Sequence, residues 1–278
     1  AIHKKYFDEK TCNYAGGTQT ANAMALSLGV VPEEYRKKVA ENLAEDVERL
    51  GYHSSCGNIG YRHLFYALGD NGYTDLVLKM LKNPEYPGWG FMALSGATTM
   101  WETWDGSASR NHPPFCLISA YFYKYLAGIR CDRIDDDSFA CDKITLKPVF
   151  AEGLDHVEAN FSTVRGDIVS RWERKNGRIY CHFEIPSSIS AKIEVGDLLL
   201  TRVSGKFDFV LGADGCIVDN KHVARFQILF DIPKNSVLRF PRRAVLLKQP
   251  GRFARLGWSL RDEFFRLFLI IIRFQVHF

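Results

Sequence analysis

Apolar positions recur with a helical period between Thr18 and Ala127, and beyond Asp142 they alternate with a period of two. Ala21, Met24, Ala25 and Leu28 fall at i, i+3, i+4 and i+7, which predicts a helix from Thr18 closed by Gly29. Pro32 suits the first position of a second helix, with Glu33 and Glu34 in the turn where carboxylates complement the helix dipole. Tyr35, Val39, Leu43, Val47 and Leu50 form its inner stripe, Gly51 ends it, and Lys37, Lys38, Glu41, Glu45 and Asp46 face solvent. A third helix is expected over 61–68, ending at Gly69. A fourth carries Tyr73, Leu76, Val77, Met80 and Leu81 until Asn83-Pro84 stops it. A fifth runs from Asn111 as N-cap through Phe115, Ile118, Tyr121, Phe122 and Tyr125 to Ala127-Gly128. Helices in series with short connections read as αα-hairpins. The longer loops, 51–60 and 85–112, fall between alternate helices, so in a ring of hairpins they gather at one end.

Asp132, Asp135, Asp136 and Asp137 mark an acidic linker where the helical period is lost. Alternating runs at 167–173 and 178–186 flank Lys175-Asn176-Gly177, a strong hairpin signature. Further strands are expected at 145–150, 156–163, 191–195, 198–203, 206–209 and 224–232, and short antiparallel strands at this spacing suggest a β-sandwich. Residues 236–278 form an atypical tail. Its apolar run Leu267–Ile272, bounded by Arg266 and Arg273, is too short to span a bilayer, so no membrane partner is expected. The domains are therefore 1–130, helical; 140–235, β; and 236–278, the tail.

Composition narrows the function. The 278 residues are 46% apolar with a net charge of +4, and the basic residues form no stripe with interleaved aromatics, which argues against nucleic acid. The seven cysteines include no Cys-x-x-Cys and read as reduced thiols, pointing to a cytoplasmic setting. The eight histidines show no metal-ligand spacing, so neither a metal nor another cofactor is expected. The chain opens Ala1-Ile2-His3-Lys4-Lys5-Tyr6, with no initiator Met or apolar signal core, and reads as starting inside a longer sequence.

The chemistry concentrates in Gly96-Ala97-Thr98-Thr99-Met100-Trp101-Glu102-Thr103-Trp104-Asp105-Gly106. A lone Trp-Glu pair reads as packing plus a cap. Two indoles and two acids within five residues, bracketed by glycines, read instead as a loop site. Indole faces suit a sugar ring, and the carboxylates offer acceptors for hydroxyls or a base for water. His53 and His63 read as polar packing residues, Cys56 as a buried thiol, and Gln19 and Asn22 as hydrogen-bonding groups of the ring interior or helix surface.

Several motifs in order resemble the C-terminal portion of bacterial α-L-rhamnosidases of glycoside hydrolase family 78. They are Gly17–Ala23 with Leu28–Pro32, His53-x-x-Cys56-Gly57-Asn58-Ile59-Gly60, Tyr86–Met92, the run from Gly96 to Gly106, and Asn111-His112. In the strand region Gly166-Asp167-Ile168 and Phe183–Pro186 extend the resemblance, which covers roughly 10–210. It implies the later helical hairpins of an (α/α)6 toroid followed by an antiparallel, jelly-roll-like β-sandwich. It also implies an inverting hydrolase releasing terminal α-L-rhamnose from a rhamnose-containing glycoside. By motif position Glu102 is the general base, His112 a sugar-contacting residue, and Trp89, Trp101 and Trp104 walls of the pocket. The family's general-acid motif has no counterpart here, the stretch from Glu102 to Asn111 is short, and Pro113-Pro114 is unusual. The expectation is a fragment with its base and without its acid. A non-catalytic carbohydrate-binding remnant, or an (α/α)6 hydrolase acting on another sugar, are the alternatives. The sequence leaves the oligomeric state open.

Overall fold

The structure, a computed structural model, describes residues 1–131 and 138–223. The acidic linker, the strand expected at 224–232 and the tail at 236–278 lie outside those residues, apart from the linker's edges.

A short helix α1 (Ile2–Tyr6) and a two-residue hairpin, β1 (Phe7–Asp8) with β2 (Asn13–Tyr14), precede the first predicted helix. Helix α2 (Gln19–Ser27) is capped by Thr18, whose hydroxyl accepts the Ala21 N–H at 3.2 Å. Helix α3 (Glu33–Arg49) buries Val39, Leu43 and Val47 of the predicted stripe together with Ala40 and Ala44, while Tyr35 and Leu50 at its ends are half-buried. Helix α4 (Asn58–Asp70) starts three residues before the expected point, and α5 (Thr74–Lys82) buries Leu76, Val77, Met80 and Leu81. Short connections join α2 to α3 and α4 to α5, the longer loop lies between α3 and α4, and α2 packs across α4.

Two local readings need correction. The stretch Trp89–Leu94, expected as loop, winds into a short helix, α6. The fifth helix is not one α-helix opening at Asn111. It begins as a 3-10 turn at Pro113–Cys116, passes through one α turn, α7 (Leu117–Tyr121), and ends as a π turn at Phe122–Leu126. The two prolines explain the beginning: Pro114 disfavours α geometry at Pro113, and neither residue has an N–H to donate.

Among the described residues of the β-domain there are two sheets. One is five-stranded and antiparallel, in the order β11 (Ile217–Val223), β10 (Gly205–Leu211), β7 (Arg178–Ile185), β6 (Gly166–Lys175), β5 (His156–Thr163). The other runs β3 (Ile129–Arg130), β4 (Lys143–Leu146), β8 (Ser190–Val195), β9 (Leu198–Val203). Here β4 pairs with β8 in parallel, so the sandwich is not purely antiparallel, and the strand expected at 145–150 lies at 143–146. At the β6–β7 turn Asn176 (φ 52°) and Gly177 (φ 70°) adopt the left-handed pair a two-residue hairpin requires.

The helices and the sheets share one continuous apolar core. Its joint is polar as well as apolar: on β6 the buried Ser170 hydroxyl donates to Ala127 O at 2.6 Å and Trp172 Nε1–H to Leu126 O at 2.8 Å. These bonds satisfy carbonyls at the end of the last helical segment.

Candidate active site

The loop between α6 and the 3-10 turn is braced by its own backbone. His112 N–H donates to Met100 O at 2.8 Å, Glu102 N–H donates to Ser109 O at 2.7 Å, and the Thr99 hydroxyl donates to Arg110 O. Residues 99–102 and 109–112 thus form a narrow neck, and 103–108 are its tip.

Glu102 stands on this neck with its side chain 39% exposed. Its Oε2 accepts the Ser109 N–H at 3.3 Å and lies 3.9 Å from Nδ1 of His112. The Ser109 amide is thus its hydrogen-bond donor in the loop, and the imidazole stands beside it. Asp105, the other acid of the loop, has a different task. Its Oδ1 accepts both the Ser107 N–H (3.1 Å) and the Ser107 hydroxyl (2.8 Å), and these bonds hold the fully exposed carboxyl below its ordinary range. It ties the loop tip and stays ionised.

The indoles divide into two groups. Trp101 is 6% exposed, with Gly106 against one part of its ring and the Arg110 guanidinium 5.1 Å from its centre. Trp104 is half-buried and stacks on Phe115 at 4.2 Å, edge-on to Trp89 (4.7 Å) and Tyr61 (5.8 Å). Trp89, expected as a pocket wall, is only 2% exposed and gives its N–H to Phe115 O at 3.3 Å. In this structure it is a core side chain beneath Trp104, because α6 turns its first residue inward. Tyr61 lies in the same cluster, and its hydroxyl interacts with Ser54 and Trp104 while burial pushes its pKa up to about 12.

The second loop is strapped to the first region by polar groups. Buried Gln19 accepts the Ser55 N–H at 2.9 Å and donates to His53 O at 3.3 Å. His53 Nδ1 faces Pro87 O at 2.7 Å, which assigns the ring proton to that nitrogen, and its Nε2 then accepts from the Asn83 amide at 3.2 Å. Loop 51–57 and loop 83–88 are therefore one unit. His63 bonds Ser27 at 2.7 Å, and buried Asn22 accepts the Tyr14 N–H at 2.9 Å. Burial raises the Cys56 thiol's pKa, which leaves it unreactive as a nucleophile at neutral pH. Among the described residues no group of three or more His, Cys, Asp or Glu is placed to hold a metal ion. Nor is any helix there long and apolar enough to cross a membrane.

Sequence reasoning brought Glu102 and His112 together and overlooked Arg110, Tyr61 and the His53–Asn83 strap. The signal for Arg110 was available: a long cation two residues before His112, in a loop rich in indole.

Helical hairpins closed by a carboxylate-bearing aromatic loop and followed by a two-sheet domain define a six-hairpin glycosidase domain with its C-terminal partner. Residues 1–126 match the bacterial alpha-L-rhamnosidase 6 hairpin glycosidase domain, and residues 138–209 match the bacterial alpha-L-rhamnosidase C-terminal domain. The chain belongs to the bacterial alpha-L-rhamnosidase family. An alpha-L-rhamnosidase of Streptomyces avermitilis is 28% identical over 215 residues, which cover 73% of this chain and 20% of that protein. One from Formosa agariphila is 32% identical over 184 residues, covering 63% and 19%. The matched region thus spans about a fifth of the length of these relatives. Among solved structures, the alpha-L-rhamnosidase of Dictyoglumus thermophilum superposes with a TM-score of 0.67 at 26% identity, covering 75% of this chain and 27% of that one. The S. avermitilis enzyme complexed with L-rhamnose gives 0.68 at 23% identity, covering 75% and 23%, a likeness of fold.

Proposed function

We propose that this chain carries the water-activating side of an inverting α-L-rhamnosidase site, with Glu102 as general base. The observation that carries the reading is the Glu102 carboxylate itself: reachable from solvent, fixed by the Ser109 amide and flanked by the His112 imidazole. In an inverting glycosidase one carboxylic acid protonates the leaving oxygen while a carboxylate on the opposite face deprotonates water, the two standing roughly 6.5–9.5 Å apart. A base needs a carboxylate fixed in place and open to water, and the Ser109 amide fixes this one. His112 orients the carboxylate and contacts a sugar hydroxyl, and half-buried Trp104, with Trp101 at 6% exposure, walls the pocket. Asp105 is tied to Ser107 and is not the acid. The proton for the leaving group comes from outside this loop.

A substrate that needs no such proton isolates the base. With 2,4-dinitrophenyl α-L-rhamnoside the departing phenolate leaves unprotonated, so the chain is expected to turn it over and to release β-L-rhamnose first, as read by NMR. Glu102→Gln keeps the shape of the side chain and should lower the rate by roughly two to four orders of magnitude. An unchanged rate in that variant would remove Glu102 from the mechanism. L-rhamnose binding without turnover by the parent would favour a sugar-binding remnant.

A further inference from the structure

Arg110 is exposed, yet its side chain makes two attachments and its backbone a third. Its guanidinium lies 5.1 Å from the Trp101 ring centre, Nε–H donates to Gly106 O at 3.2 Å, and its carbonyl accepts the Thr99 hydroxyl. Gly106 itself lies on the same indole: a Cβ built there would stand 2.8 Å from Trp101 Cε3. Trp101 is therefore contacted both by a glycine with no side chain and by a flat cation, and the cation is bonded to that glycine's carbonyl. The neck carrying the base is next to this assembly in both directions. Glu102 follows Trp101, and His112 lies two residues beyond Arg110.

We propose that Arg110 is a positioning residue for the Glu102–His112 pair, acting by clamping the loop tip onto Trp101. This deepens the base assignment above and rests on it for its functional meaning. With the clamp in place the tip 103–108 cannot swing, and the two neck bonds, Glu102 N–H to Ser109 O and His112 N–H to Met100 O, stay closed. Without it those bonds open, and the carboxylate loses both its Ser109 amide and its register with the imidazole. Lysine cannot substitute, because it has neither the planar face for the indole nor an Nε–H placed to reach Gly106 O.

Amide hydrogen exchange followed by NMR on the whole chain tests this separately from catalysis. In Arg110→Ala the Glu102 and His112 amides are expected to lose about ten-fold or more of their protection, while amides in α4 keep theirs. The ring-current shift of the Gly106 signals should collapse. Arg110→Lys should recover little of either, and ethylguanidinium added to Arg110→Ala should restore both. Unchanged protection of Glu102 and His112 in Arg110→Ala overturns the proposal, as does a loss spread equally over α4, which marks general destabilisation. Turnover of 2,4-dinitrophenyl α-L-rhamnoside is then compared in the same variants. It should fall about ten-fold in Arg110→Ala and return with ethylguanidinium. If Glu102→Gln leaves turnover untouched while the exchange result holds, the base assignment fails and the clamp stands.

Discussion

Gly106 and Gly96 bracket the same loop and share a positive φ, +70° and +83°, yet they are constrained differently. Around Gly96 an added methyl group meets nothing within 4 Å, whereas at Gly106 it meets the Trp101 ring at 2.8 to 3.1 Å. Gly96→Ala therefore carries only the cost of a left-handed alanine, about 1 kcal/mol. Gly106→Ala adds displacement of a buried indole and should cost about 2–4 kcal/mol in all. Chemical denaturation of the two variants decides: equal losses would mean that Trp101 yields freely, and the packing account of the loop would fall. At this scale the sequence was informative about types and silent about surroundings. Glu102 and His112 could be named because a motif carries them, and the fold sets them 3.9 Å apart. That Trp89 is core was not, since an indole in a Gly-rich run looks the same whether α6 turns it inward or outward. Asp105 was ambiguous for the same reason, and its bonds to Ser107 resolve it as a turn carboxylate.

Elements held together by local contacts were the ones the sequence disclosed. The stripes of α3 and α5 and the Asn176-Gly177 hairpin need only neighbours three, four or two residues apart, so periodicity reports them directly. The parallel pairing of β4 with β8 joins residues almost fifty positions apart (Leu146 faces Ile193), and no local pattern encodes that partner. Nor does a pattern announce the π turn at Phe122–Leu126, where the end of the helix is shaped by β6 bonding its carbonyls. The β4–β8 pairing has a charged rivet: Glu194 on β8 meets Lys147 at 2.7 Å and Lys192 beside it. Hydrogen bonds from these two lysines pull the Glu194 pKa from its ordinary 4.5 to about 2. A folded pKa below the unfolded one means stability that is present above pH 4.5 and lost as pH falls towards 2. Glu194→Gln should therefore lose up to about 1 kcal/mol at pH 7, a modest figure because the pair is partly solvated. The difference from the parent should vanish near pH 2. Parallel stability curves from pH 7 to pH 2 would show that the lysines contribute nothing.

Across the whole molecule, the joint between helices and sheets decides whether the chain behaves as one body or two. Trp172 is 1% exposed and Ser170 is fully buried, and both spend their single donor on carbonyls of the helical part. A buried carbonyl left without a donor costs about 1–3 kcal/mol, so these bonds matter most when broken singly. Trp172→Phe keeps an aromatic in the core but strands Leu126 O, and Ser170→Ala strands Ala127 O. The exposed bond from Tyr123 to Asn160 O (3.3 Å) offers a mild control, since water can replace it. If the continuous core makes the described residues one cooperative unit, the slowest-exchanging amides of α4 and of β6 share one opening free energy. Trp172→Phe should then lower both by the same amount, about 2–4 kcal/mol, because losing the joint's packing adds to the stranded carbonyl. Tyr123→Phe should lower them by less than about 0.5 kcal/mol. A fall in β6 protection with α4 unmoved would mean that the β-domain opens alone. In that case the last helical segment, and with it the neck bearing Glu102 and His112, would draw its order from the aromatic cluster of Tyr61, Trp104 and Phe115 rather than from the sheet behind it.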